Sequence, residues 1–255
     1  MTTPAEKRGL VDRVLGLARP TVVRDFTPPA REVADGLWVV QRKIHLPGGI
    51  EIATTMTVLR LANGSLVVYS PFRLDPVLRA DLARMGRVAH LVAPNSFHYL
   101  YLGEHREAFP EAAVWLCPAL RERRPVVGDG TVLGDEAPAA WRGEIDQAVL
   151  GPSRGVSEVA MLHRATRTLV VTDLAFNMQA AGNRRERWYW QMSGVWQRFG
   201  PTGLVRHVLL RDRDAARSLV TRILGWDFER IVVSHGEVVE HDGHAVFQTA
   251  FARFA

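Results

Sequence analysis

The chain has 255 residues, 47% of them apolar and 23% charged, so it carries enough apolar side chain for a sizeable core and is not composed like a disordered or fibrous protein. The net charge of +5 comes almost wholly from arginine, because Lys7 and Lys43 are the only lysines. Apart from Arg121, Arg123, Arg124 and the Arg184–Arg185–Arg187 run, the basic residues are scattered, and no nucleic-acid reader motif accompanies them, so neither nucleic acid nor a membrane is expected as a partner.

Residues 1–30 read as an N-terminal arm. Val11, Leu15 and Leu17 suit a short helix, which Pro20, Pro28 and Pro29 stop. No long apolar run opens the chain and none reaches ~18 residues, so no secretory signal or spanning helix is expected, and a cytoplasmic location follows by default. A single domain is expected over 31–255. Leu37–Val40 and Thr55–Leu61 read as strands, and Asn63-Gly64 is a hairpin turn into a strand over Ser65–Tyr69. Asp75 caps a helix that begins with Pro76 and ends at Gly86. His90–Ala93 is a short buried strand, followed by Pro94–His98 and a helical stretch ending near Pro110.

Val114–Cys117 is the next strand. Cys117 is the single cysteine, which excludes a disulfide or a cysteine-based zinc site within one chain, and it reads as a small buried residue. Residues 121–142 are irregular and separate two halves. Strands resume at Ile145–Leu150, Glu158–His163 and Thr168–Thr172, followed by a helical stretch over 186–199. An amphipathic helix starts near Asp212 or Asp214, with Ala216, Leu219, Val220, Ile223 and Leu224 on one side, and Phe228–Ser234 is the last core strand. Two halves, each a run of strands followed by helices, predict an α/β fold: an αββα sandwich of two mixed sheets flanked by helices.

Three polar residues share one position in this plan. His98 follows the strand His90–Ala93 within a few residues, Asp173 directly follows Thr168–Thr172, and His235 directly follows the last strand. Ligands bind outside the carboxyl ends of strands in such architectures, and two imidazoles with a carboxylate there suit a divalent metal. Taken singly, each also has an ordinary reading: Asp173 caps a turn, His235 is a turn residue before Gly236, and His98 sits on a helix face.

Trp188, Tyr189, Trp190 and Trp196, beside the arginine run, read as a helix face packed on the core, with a lid over a pocket as the alternative. Gly128-Asp129-Gly130 is a turn rather than a dinucleotide loop. Asp242-Gly243, between His241 and His244, is a hairpin turn signal.

In order and context these residues resemble the metallo-β-lactamase superfamily, which places an HxHxDH motif after a buried strand, a later Asp after an apolar strand and a last His after the final core strand. Here the motif slot reads Ala93-Pro94-Asn95-Ser96-Phe97-His98, Thr172-Asp173 is similar to the bridging Asp, and Ser234-His235-Gly236 to the last His. The superfamily's middle His would fall near Ser153–Ser157, where none exists. A domain-of-unknown-function branch of that superfamily is more similar still. The likeness extends through Leu37-Trp38, Thr57–Leu61, Gly103-Glu104, Gly134–Pro138, Trp226-Asp227 and His235-Gly236-Glu237, over roughly residues 32–240. That branch often carries a His at Tyr99 and a Trp at His105.

The resemblance implies the metallo-β-lactamase-like fold and a reduced, mononuclear metal site of His98, Asp173 and His235, holding one Zn²⁺, Fe²⁺ or Mn²⁺. It implies a pocket at Asn95, Phe97, Tyr99 and Trp190, and a metal-dependent hydrolase acting on a small molecule. Because Asn95 and Phe97 replace a His and the Asp of the motif, loss of the metal is the alternative, leaving a ligand-binding or scaffold protein.

Overall fold

Thr21, Val22 and residues 28–46, 50–123, 129–153 and 155–254 are described by the computed structural model. The expected helix around Val11–Leu17 and most of the N-terminal arm lie outside these residues, as do Arg124 and Gly128.

The first half builds an eight-stranded sheet from β1 (Thr21–Val22), β2 (Arg31–Ala34), β3 (Leu37–Leu46), β4 (Ile50–Arg60), β5 (Ser65–Tyr69), β6 (Arg87–Ala93), β7 (Ala113–Leu116) and β8 (Thr131–Val132). β3, β4 and β5 pair antiparallel, and β5 through β8 run parallel. The Asn63-Gly64 turn joins β4 to β5, with Gly64 at φ 79, a conformation glycine adopts without a Cβ penalty. β3 and β4 run further than their apolar pattern indicates. Past Val40 the polar trio Gln41-Arg42-Lys43 breaks the run, yet Arg42 is buried and stays in the sheet because its guanidinium meets Asp75 at 3.1 Å and the Pro28 carbonyl at 2.9 Å.

Helix α1 (Pro76–Met85) lies between β5 and β6, capped by the Asp75 side chain, which accepts from Leu78 N. α2 (Leu102–Ala108) is shorter than the helical stretch expected before Pro110, because the chain after β6 makes turns first. α3 (Pro118–Arg123) follows β7, and Cys117 ahead of it is fully buried. Burial pushes the Cys117 thiol up to about 11, so it stays protonated and inert at neutral pH.

The second sheet has the order β14-β11-β10-β9, from β9 (Ile145–Ser153), β10 (Val156–His163), β11 (Thr168–Val171) and β14 (Arg230–Val233). β10, β11 and β14 are buried almost throughout because both faces are covered. On β10, Val159 and Met161 join the core shared with the first sheet, while Ala160 and Leu162 face the helices. Val170 and Val232 alternate in the same way with Leu169, Val171, Ile231 and Val233. Each such buried aliphatic contributes about 1.5–3 kcal/mol. The Tyr69 hydroxyl donates to the Val159 carbonyl at 2.7 Å, tying β5 to β10.

The outer layer on this side contains α4 (Arg184–Ser193), α5 (Gly203–Val208), α6 (Arg213–Leu224) and α7 (Gly243–Phe251). Asp212 caps α6, and Ala216, Leu219, Val220 and Ile223 are its buried side. A two-stranded ribbon, β12 (Phe176–Asn177) with β13 (Phe199–Gly200), precedes α5. The Asp242-Gly243 pair is not a hairpin turn: Gly243 begins α7, where its α-carbon lies too close to the Glu229 carbonyl for a side chain, and His244 Nε2 donates to the Leu224 carbonyl at 2.9 Å. The architecture is helices, sheet, sheet, helices. Among the described residues no helix is long and apolar enough to cross a membrane.

Candidate metal centre

β11 and β14 run parallel with Val171 opposite Val233. Asp173 and His235 each stand two residues beyond that pair, so the register alone brings them to one edge. In the other sheet, β5 and β6 end at the same rim with Tyr69 opposite Val92. Ser70 leaves β5 at φ 58, an uncommon conformation for a residue with a side chain, while its N–H donates to the Val92 carbonyl at 3.0 Å. After β6 the chain turns on Asn95, whose side-chain oxygen accepts from Phe97 N at 2.8 Å and whose carbonyl accepts from His98 N at 3.2 Å.

The result is a cluster of His98, Asp173 and His235 whose donor atoms lie within 4.8 Å of one another. Nε2 of His98 is 3.4 Å from Asp173 Oδ1, and Nε2 of His235 is 3.2 Å from the same oxygen. Both rings are oriented from behind. Nδ1 of His98 is 2.9 Å from Ser70 Oγ, and Nδ1 of His235 is 2.8 Å from the Ala53 carbonyl. The Phe176 ring stacks on His235 with centroids 4.9 Å apart. Gly236, at φ 108, packs against the Asn177 backbone so closely that no Cβ fits, which fixes the chain immediately after His235.

A carbonyl only accepts, so Nδ1 of His235 carries the hydrogen. Its Nε2 then meets Asp173 either with a second proton or with a bare lone pair. In the second state two lone pairs face each other at 3.2 Å, an arrangement that a cation shared by both atoms would satisfy. Ligands about 2.0–2.1 Å from a tetrahedral ion are about 3.3 Å apart, and both separations to Asp173 agree with that. The donor set therefore fits a divalent ion. Burial pushes the Asp173 pKa up, but the His98 charge and hydrogen bonds from both histidines outweigh it and hold the carboxyl well below the usual carboxylate range.

Behind the cluster lies a second carboxylate, Glu158 on β10, fully buried. It accepts from Asn95 Nδ2 at 2.5 Å, from Thr172 N at 2.6 Å, from Thr172 Oγ1 at 2.5 Å and from Asp173 N at 3.3 Å. Burial, and after it the Asp173 charge, push the Glu158 pKa up to about 7 against the donors from Asn95 and Thr172.

The cluster opens into a cavity of about 470 Å³. Phe97, Tyr99 and Trp190 line it, as do the three cluster residues. Asn95 does not line it, because its side chain is turned to Glu158. Tyr99, where the related branch often has His, is a buried wall residue. His105, where the branch often has Trp, is fully buried with Nε2 donating to the Phe72 carbonyl at 2.7 Å. The aromatic stretch divides its tasks: Trp190 is buried against the core and walls the cavity, Tyr189 stands at its rim, and Trp188 is exposed.

Three contributors escaped the sequence reading. Ser70 leaves its strand end as Asp173 and His235 leave theirs, so the strand-exit rule that found those two would have found it. Glu158 is a lone carboxylate inside a strand that is buried from end to end, and its neighbours Val159-Ala160-Met161-Leu162 make that a usable signal. The Ala53 carbonyl left no trace, because a backbone acceptor has no residue type.

A family model described as a domain of unknown function, DUF4336, matches residues 34–183. No curated protein matches the chain. Among solved structures, the chain is similar to the metal-soaked Flv1 flavodiiron core from Synechocystis sp. PCC6803, with TM-score 0.63 and 10% identity over 92% of this chain and 61% of that one. It is similar to TMB-1, with TM-score 0.61 and 10% identity over 89% and 98%. The metallo-β-lactamase FIM-1 from Pseudomonas aeruginosa, solved in its mono-zinc form, gives TM-score 0.58 and 11% identity over 89% and 96%. At these identities the likeness establishes the metallo-β-lactamase fold and nothing finer.

Proposed function

The chain belongs to the DUF4336 family, and from that premise we propose that it is a metal-dependent hydrolase of a small molecule, working with one divalent ion held by His98, Asp173 and His235. The observation that carries this reading is the paired orientation of the two histidines. Each has Nδ1 engaged, by Ser70 or by Ala53, and turns Nε2 on the same carboxylate oxygen. Hydrogen-bonded partners behind ligating imidazoles are a regular feature of metal sites. The mono-zinc form of FIM-1 is a precedent for a single ion in this fold.

When bound, such an ion supplies Lewis acidity and lowers the pKa of coordinated water to about 7. The protein's own residues do the rest. Asp173 stays anionic and holds one charge at the site. Ser70 and Ala53 fix the ring planes. Phe97 and Phe176 keep bulk water from the side facing the cavity. Two ligand histidines and one carboxylate leave coordination positions for water and substrate, as catalytic rather than purely structural sites do. Zinc, iron and manganese all suit the set.

The test is metal content after purification without added metal, compared between the parent and a His98→Ala, His235→Ala double variant. About one equivalent in the parent and none in the variant is expected. A chromogenic ester should then be hydrolysed by the parent, inhibited by chelator and restored by added Zn²⁺, Fe²⁺ or Mn²⁺. Absence of metal from both proteins overturns the proposal. It would leave a cluster closed on a proton, with the pocket of a binding protein above it.

A further inference from the structure

The cavity over the cluster has an uneven chemistry. One end is formed by Ser70, His98, Asp173 and His235, which hold its titratable cluster, while Ile44, Ile52, Phe97, Val205, Val208 and Leu209 make apolar wall and the remaining polar lining, at Thr54, Ser193, Thr202 and the tyrosines, is hydroxyl only. Among the described residues that line it there is no lysine and no arginine, in a chain with 32 such residues. An anionic group lying against that wall would meet no countercharge. At about 470 Å³ the space is within the range of small-molecule sites.

The mouth is equally distinctive. Six large apolar side chains are exposed among the described residues: Val77, Leu100, Trp188, Tyr189, Met192 and Leu204. Four of them, Leu100, Tyr189, Met192 and Leu204, line this one cavity. Scattered single apolar residues on a surface are ordinary, but convergence on one opening marks a site for an apolar partner. The two helices that frame the opening expose these residues while burying their neighbours: α4 buries Trp190 and exposes Met192, and α5 buries Val205 and exposes Leu204.

We infer that the substrate is a compound with an apolar chain and a carbonyl-bearing head. The chain lies along Ile52, Val205, Val208 and Leu209 and leaves past Leu204 and Met192, while the head sits at the His98, Asp173 and His235 cluster. This rests on the proposed function only for the role of the head. The chain-binding wall is independent of it.

Unbranched 2-alkanones of about six to about fourteen carbons are suitable probes, because they carry the carbonyl and cannot be hydrolysed. Titration calorimetry on the full chain should find Kd falling about fourfold for each added methylene, which is about 0.8 kcal/mol each, until the cavity is full. Val208→Trp, at a half-buried wall position, should end that fall at a shorter chain while leaving the shortest ketones bound as in the parent. Leu204→Asp, at a position 63% exposed and therefore safe for folding, should weaken only the longest ketones. A Kd that does not change with chain length in the parent overturns the inference, as does a series untouched by Leu204→Asp. Metal measured on the same samples separates the two claims. A steep series without metal removes the metal reading and keeps the apolar site, and one equivalent of metal with a flat series does the reverse.

Discussion

The side-chain amide of Asn95 donates to the carboxylate of Glu158 across 2.5 Å, both residues being fully buried. Asn95 stands where the metallo-β-lactamase motif that the sequence resembles has a histidine. In this chain that position faces away from the cluster and ties the His98 loop to β10. The same carboxylate receives Thr172 and the Asp173 N–H. One buried acid thus positions the turns that carry two of the three candidate ligands.

Removing that acid should be costly. Glu158→Ala leaves the Asn95 amide, the Thr172 N–H and hydroxyl and the Asp173 N–H without their acceptor. At about 1–3 kcal/mol for a buried orphan, and with some relaxation, a loss of about 3–5 kcal/mol is expected. Glu158→Gln keeps the shape and one acceptor oxygen, so about 1–2 kcal/mol is expected there. The midpoint of urea unfolding measures both. An alanine variant within about 0.5 kcal/mol of the parent, the range of ordinary surface changes, would mean that the cage holds nothing in place.

Ser70 meets His98 at Nδ1, 2.9 Å away, on the side of the ring opposite the candidate donor atom Nε2. Ser70→Ala should weaken metal affinity about 10–100-fold, the usual effect of losing an orienting partner behind a histidine ligand. Fold stability should change little, because the φ of 58 is no easier for alanine than for serine. Competition against a chelator of known affinity reads the change. Unaltered affinity would assign Ser70 to the rim alone.

Much of this arrangement is legible in the sequence. Strands with continuous Val, Leu and Ile, the Asn63-Gly64 turn, and caps such as Asp75 and Asp212 obey local rules, so the two sheets and most helices follow from the sequence. His98, Asp173 and His235 were legible as strand exits. Less visible was whatever depends on tertiary partners. Arg42 extends β3 only because Asp75 and Pro28 meet it, and Asn95 turns inward only because Glu158 waits there. The pair Asp242-Gly243 has the composition of a hairpin turn, but the close approach of the Glu229 carbonyl uses the same glycine to begin a helix. The cavity's one-sided chemistry was hidden because its wall draws on six or more separated segments.

His105 predicts a pH effect on folding. Burial lowers its pKa from the ordinary histidine value, so the unfolded chain takes up a proton more readily than the folded one. The stability conferred by neutral His105 is therefore complete above the unfolded value of about 6.5 and is lost as pH falls through that value toward the folded pKa. His105→Gln, whose amide can still donate to the Phe72 carbonyl, should flatten unfolding midpoints between about pH 7 and pH 5. His90 and His163 are lowered in the same direction by burial, so a residual slope persists. Parallel parent and variant curves would remove His105 as a source.

Phe97 is the departure with the sharpest consequence. The motif that the sequence resembles has a carboxylate immediately before the position of His98, and this chain puts a half-buried ring there, lining the cavity that the cluster opens into. If the three remaining donors hold an ion, Phe97→Asp adds a fourth with a negative charge, and affinity rises with ligand charge in cation sites, by an expected tenfold or more. The same change removes apolar wall, so long 2-alkanones should bind less well. It should also lower stability by about 1–3 kcal/mol, as a lost aromatic contact does at a half-buried site. Saturating Zn²⁺ should return part of that loss, because an ion that binds only the folded state stabilises it by RT ln(1 + [L]/Kd). Thermal unfolding with and without Zn²⁺ reads both effects in one experiment. A larger zinc-induced shift in Phe97→Asp than in the parent puts the new carboxylate beside the ion. An equal shift, with the fold intact, places the ion elsewhere than among His98, Asp173 and His235.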